Sequence, residues 1–306
     1  SDQIKDYGAV IFRGFDVSTA TDVEDTVLSY NPNLSNEYRG TSPRNALDGS
    51  QYVFSAAEVP SHWPIAQHIE MSFLPSPPKQ LYFSALQAPK TVGGETALAD
   101  FRKVYQDVPI RLREKLAAKK IRYRRTHPMK VAGGGRSIRR THDVASLQTW
   151  PSLFGTSDKR EVEKIAMMEN PAASVRWEGP EGNTFVSEFE SEPFRVHPET
   201  GEMVWFNHAN VFHWTTFTAE LVHSYRRTKD VRFLLHAIRA GAKSLWKYGI
   251  LRRKMGLHIE YGDGTPISLW EMYLIRKAIH KNMVFNRWQQ GDILFIDNLS
   301  TSHGRQ

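Results

Sequence analysis

A chain of 306 residues, 40% of them hydrophobic, can bury one large core or at most two small ones. Its 8 Trp, 11 Tyr and 16 Phe argue against extended disorder, and its 0 Cys exclude disulfide scaffolds, thiolate metal sites and Cys nucleophiles. No apolar run is long enough to span a bilayer and Ser1 opens no secretory pattern, so the chain reads as soluble and cytoplasmic. The net charge of +7 is concentrated: from Arg226 to Lys254 ten basic residues face one acid, Asp230, giving that stretch +9 and the remainder −2.

Gly8–Phe15 is apolar, β-branched and aromatic, and reads as a buried strand. Thr21-Asp-Val-Glu24 fits a capping box and predicts a helix to about Ser29. Residues 30–66, rich in Asn, Ser, Pro and Gly, read as loop with brief strands. Strands are then expected at His68–Phe73, Leu81–Leu86 and Gly93–Ala99. A helix is expected over 102–120, with Pro109 near the start of its main run and Leu112, Leu116 and Ala117 on one face. Asp158 to Glu161 opens another helix to about Met168, and Phe194–Phe206 reads as two strands around a Pro-Glu-Thr-Gly turn. Helical spacing governs 215–256, as at Val231, Leu234, Leu235 and Ile238, before strands return at Val284–Trp288 and Ile293–Asp297. With no repeat and no linker, one β-rich domain with helical insertions is the economical arrangement.

Three pieces carry chemistry. In a strand, residues i and i+2 share a face, so His68 and Glu70 would project together, an imidazole and a carboxylate suited to a first-row metal. Near the end, an apolar strand from Gly291 runs into a polar stretch holding one histidine, His303, which can complete a facial triad if both strands share a barrel. Gly93-Gly-Glu-Thr96 allows a close backbone approach beside a hydroxyl. Taken singly, each piece better fits a surface His-x-Glu, an exposed strand-end His and an ordinary hairpin turn respectively.

In this order, with the late Trp-Gln-x-Gly-Asp, Asp-Asn and His-Gly-Arg runs, the pieces resemble the TauD/TfdA superfamily of Fe(II)/2-oxoglutarate oxygenases, in its clavaminate-synthase-like and SyrP-like branch. Gly8–Phe15, Ser42-Pro-Arg44, Phe154-Gly-Thr156 and Val204-Trp-Phe-Asn207 extend the resemblance over nearly the whole chain, least so over 208–260. It implies a double-stranded β-helix, a jelly-roll barrel, as one domain over 1–306 with a basic helical insertion at about 215–256. It further implies Fe(II) held by His68, Glu70 and His303, and 2-oxoglutarate as cosubstrate with Thr96 on its distal carboxylate. An Arg some ten residues past the distal His completes that clamp in the family; this chain stops at Gln306, which places the clamp and a last strand beyond it. Related halogenases carry a small residue in place of this carboxylate, so Glu70 points to hydroxylation, desaturation or cyclisation of a small amino-acid-like or carboxylate-bearing substrate.

Arg44 and Asn207 are the substrate-pocket candidates, with a surface ion pair and a strand-end cap as their respective alternatives. The basic insertion reads first as a lid, then as a dock for an acidic partner such as a carrier protein bearing the substrate. A membrane-surface contact through Leu245, Trp246, Ile250 and Leu251 comes next, and nucleic acid last. The rival functions are a barrel metalloenzyme that does not use 2-oxoglutarate, and a non-catalytic module working through the insertion.

Overall fold

The computed structural model describes residues 2–36, 38, 40, 44–56, 60, 62–90, 93–130 and 148–305. Ser42 and Pro43 of the Ser-Pro-Arg match, and Gln306, lie outside them. Antiparallel pairing organises the strands. β1 (Ala9–Phe12), β12 (Ile293–Asp297) and β3 (Gln80–Ser84) form one sheet in that order. The second sheet runs β11 (Met283–Phe285), β4 (Thr96–Asp100), β13 (Thr301–Arg305), β2 (Ile65–His68). The third runs β10 (Leu257–Tyr261), β5 (Ile121–Pro128), β7 (Thr184–Ser191), β6 (Ser174–Glu178), and β8 (Phe194–Val196) pairs with β9 (Met203–Trp205) as a hairpin.

The residue patterns explain these placements. β5 alternates strictly, turning Ile121, Tyr123, Arg125 and His127 inward, as a one-sided sheet requires. β12 is central in its sheet and buried along its whole length, which is why it reads as an unbroken apolar run. Its last residue, Asp297, begins the turn that carries the chain from the first sheet into β13 of the second. Ser300 N–H closes the turn on Asp297 O at 3.2 Å, and Ser300 Oγ donates to Asp297 Oδ2 at 2.6 Å. His197 Nε2–H donates to the same carboxylate oxygen at 2.9 Å and ties the hairpin to the turn. The main core gathers Ile69, Phe73, Leu116, Tyr123, Trp205, Phe212 and Ile279, so it is built from the segment after β2, the third sheet, the hairpin and the flanking helices.

Several boundaries differ from the sequence expectation. The capping box is Thr19 with Asp22, two residues before the expected one, because Asp22 can reach back to Thr19 N–H at 2.8 Å. The 102–120 helix is two, Phe101–Asp107 and Ile110–Lys119, split at Pro109, and Ala117 is exposed rather than beside the buried Leu112 and Leu116. Gly93 and Gly94 precede the strand, at φ 113° and 79°, and β4 starts at Thr96. The strand at His68 ends there; residues 70–73 form a turn with Met71 at φ 53°. The 215–256 region is helical as expected, in Thr216–Thr228, Val231–Ser244 and a wider π-type turn at Leu245–Ile250. No helix among the described residues is long and apolar enough to cross a membrane.

Ile69, fully buried between His68 and Glu70, anchors the site segment to the core. Ile69→Ala is expected to lower unfolding stability by about 2–5 kcal/mol, read from urea denaturation. A loss below about 1 kcal/mol would mean that the core does not hold this segment.

Candidate metal centre

β2 and β13 are neighbours, and their register sets His68 directly opposite His303. The two imidazoles therefore meet, with ring centroids 4.3 Å apart. Glu70 joins them from the turn: its Oε2 is 3.7 Å from His68 Nε2 and 3.6 Å from His303 Nε2. The candidate ligand atoms of all three buried residues lie within 4.8 Å of one another, the one such grouping found among the described residues.

Local hydrogen bonds aim these side chains. His68 Nδ1–H donates to Ala66 O at 2.8 Å, which leaves Nε2 with its lone pair directed at the cluster. Glu70 lies beyond the end of the strand, and the side chain of Asn298, in the β12–β13 turn, fixes its backbone. Glu70 N–H donates to Asn298 Oδ1 at 2.8 Å, while Asn298 Nδ2 donates to Glu70 O at 3.1 Å and to Pro78 O at 2.7 Å. Tyr38 O–H donates to Glu70 Oε1 at 3.3 Å, and Arg44 Nη2 stands 3.9 Å from Oε2. Behind His68, the buried His208 packs with ring centroids 5.7 Å apart, its Nδ1 2.7 Å from Ser72 Oγ.

The electrostatics suit a cation. Burial pushes the Glu70 carboxyl up, but hydrogen bonds and charge from His303 and His68 outweigh it and hold it well below the usual carboxylate range. Burial, and then the neighbouring His68, push His303 down to about 4, against the pull of Glu70. Near neutral pH the cluster thus offers a carboxylate and an unprotonated His303, the forms that ligate a metal. Two imidazoles and one carboxylate converging from one side make the donor set of a 2-His-1-carboxylate facial triad. The two histidines line a cavity of about 330 Å³, which leaves their side of the cluster open to ligands.

Other expected residues are placed as follows. Thr96 lines the cavity and accepts a hydrogen bond from Trp288 Nε1 at 3.3 Å, which turns its own O–H toward a further acceptor. Arg44 lines the cavity, with its guanidinium carbon 5.2 Å from the Tyr38 ring centre. Asn207 is not brought to the cavity: Nδ2 donates to Pro193 O at 2.8 Å and Oδ1 accepts from Ala209 N–H at 2.9 Å, so it works as a cap. Arg305 reaches the cavity wall and donates to Pro60 O and Trp63 O. Asn298, Trp288, Tyr38 and Glu220, the last on the cavity wall, had no role assigned from sequence. Trp288 and Asn298 stood inside runs already singled out, whereas Tyr38 and Glu220 come from segments without a distinguishing pattern.

Two histidines and a carboxylate beside an open cavity define a candidate mononuclear non-haem metal site. The family model described as taurine catabolism dioxygenase TauD, TfdA family matches residues 1–306, and the chain belongs to that family of Fe(II)/2-oxoglutarate-dependent dioxygenases. The dapdiamide synthesis protein DdaC of Enterobacter agglomerans is 27% identical over 304 residues, 99% of this chain and 79% of that protein. A clavaminate synthase-like protein of Arabidopsis thaliana is 25% identical over 300 residues, 98% of this chain and 77% of its own length. Among solved structures, a taurine dioxygenase from Burkholderia xenovorans matches with a TM-score of 0.48 at 16% identity, covering 100% of this chain and 73% of that one.

Replacing Asn298 by Ala is expected to weaken Fe(II) binding by about 10- to 100-fold while the fold survives, measured by anaerobic titration calorimetry. Unchanged affinity would show that Glu70 keeps its position without the clamp.

Proposed function

We propose that residues 1–306 form one oxygenase domain of the jelly-roll type, in which His68, Glu70 and His303 hold Fe(II) and Thr96 bonds the distal carboxylate of 2-oxoglutarate. The observation that carries this reading is the meeting of two histidines and a carboxylate, with both histidines on the wall of a cavity that Thr96 also lines. Iron, 2-oxoglutarate and O2 together supply oxidative decarboxylation to succinate and CO2, coupled to oxidation of a substrate C–H bond.

The chain's own groups arrange that chemistry. His68, held by Ala66 O, presents Nε2, and Glu70 remains ionised between its histidines. Trp288 orients the Thr96 hydroxyl, which then donates to a carboxylate. Phe83, Trp214, Phe217, Met255 and Leu257 line the cavity and exclude water around the reacting bond.

The substrate in this reading is a small carboxylate-bearing or amino-acid-like metabolite, and the reaction is hydroxylation. Arg44 supports the first point: its Nη1 is buried with no hydrogen-bond partner among the described residues, a donor that an incoming carboxylate would satisfy. Glu70 bears on the second only by arguing against halogenation, since it would fill the ligand position a halide needs; desaturation and cyclisation are the alternatives to hydroxylation. The synthesis role in the name of the DdaC relative fits a biosynthetic setting.

Anaerobic Fe(II) with 2-oxoglutarate is expected to give a weak visible charge-transfer band that His68→Ala and Glu70→Ala abolish, along with succinate formation. A wild-type protein that gives no band and releases no succinate would end this reading. Thr96→Val is expected to raise the KM for 2-oxoglutarate by about tenfold with kcat little changed, the worth of one hydrogen bond to a charged group. An unaltered KM would remove Thr96 from the cosubstrate site.

A further inference from the structure

The helix Val231–Ser244 packs in an inverted way. It turns its small residues inward: Ala237, Ala240 and Ser244 are buried, the two alanines beside Leu221 of the helix Thr216–Thr228. Its large apolar residues face out, with Val231, Leu235 and Ile238 60%, 52% and 61% exposed. At i, i+4 and i+7 they form one stripe, and Leu245, Trp246 and Ile250 of the following turn, 50%, 59% and 59% exposed, continue the apolar surface. Arg232, Arg239 and Lys243, also spaced by seven and four, form an exposed row beside the stripe, and the exposed Arg252 and Arg253 follow the turn.

We propose that this face is an adsorption surface for an anionic lipid bilayer, with the helix lying in the plane of the headgroups. Exposed aliphatic residues flanked by a basic row on a helix are what interfacial binding requires. A Trp within the apolar stretch suits the headgroup level. The stripe runs from Val231 to Ile250, roughly 30 Å of helix, long enough to lie flat along the surface. A bilayer yields to a convex helix, whereas a protein partner would have to supply a groove for it. Protein interfaces are also depleted in Lys, while this face carries Lys243 and Lys247 beside its arginines. A second copy is disfavoured by charge, since each would bring the same +9 segment to the contact. The inner side of this segment, through Ser244 and Tyr248, forms part of the cavity wall, so adsorption would set that wall against the membrane.

Sedimentation of the full chain with sucrose-loaded vesicles tests the proposal. Mixed phosphatidylserine–phosphatidylcholine vesicles are expected to pellet the protein, pure phosphatidylcholine vesicles to leave it in solution, and raised salt to release it. Leu235→Asp with Ile238→Asp, and separately Arg252→Glu with Arg253→Glu, are expected to weaken binding at least about tenfold. All four residues are exposed, so the thermal melts should match wild type. Equal partitioning onto both vesicle types, or undiminished binding by the double Asp variant, overturns the proposal. So does failure to bind either vesicle by a chain that instead retains an acidic protein on this face.

Discussion

The pairing of β2 with β13 is the constraint on which the site depends. It joins segments some 235 residues apart and sets two histidines face to face. Buried polar groups lock the pairing. Gln67 Nε2 donates to Ala97 O at 2.9 Å, and Ser302 Oγ donates to Gln67 Oε1 at 2.7 Å, so one side chain stitches β2 to β13 and β4 together. The strands approach so closely that a Cβ on Gly304 would lie 2.6 Å from Ile65 O and 2.7 Å from Gln67 Nε2. Glycine beside the second histidine is therefore a packing requirement, independent of backbone torsion.

The charges near the cluster form a second layer of constraint. A buried carboxylate is costly unless paired. Glu70 finds both imidazoles, the Tyr38 hydroxyl and, at longer range, Arg44. Burial holds His208 well below its ordinary range, with His68 adding to the effect, so the group behind His68 carries no charge of its own. The candidate centre thus keeps its carboxylate ionised, with a neutral imidazole behind His68.

Much of this was legible in the sequence, for a physical reason: alternation, apolar runs and glycine turns are local. β1, the β8–β9 hairpin and β12 stand where their residues suggest, and the three candidate ligands converge. His68 and Glu70 do not share the strand face that their spacing suggests, because β2 ends at His68 and Glu70 reaches the cluster from a turn. What holds that turn is the side-chain amide of Asn298, a contact across 228 residues that no local pattern records. Asn207 failed for the same reason, since its partners at Pro193 and Ala209 appear only once the hairpin folds back. The helix at 231–244 was found by its spacing, but spacing identifies an apolar stripe without saying whether the protein covers it.

The carboxylate's seat on a turn also separates chemistry from folding. The histidines are part of the sheet, and changing the backbone around either would disturb its ladder. Glu70 hangs from a bend held through main-chain atoms, with Met71 beside it in a left-handed conformation. Asn298 grips residue 70 without reading its side chain. A substitution at this position can therefore change the donor set of the candidate centre without rebuilding the scaffold. One side chain can thus be altered while both histidines keep their places in the ladder.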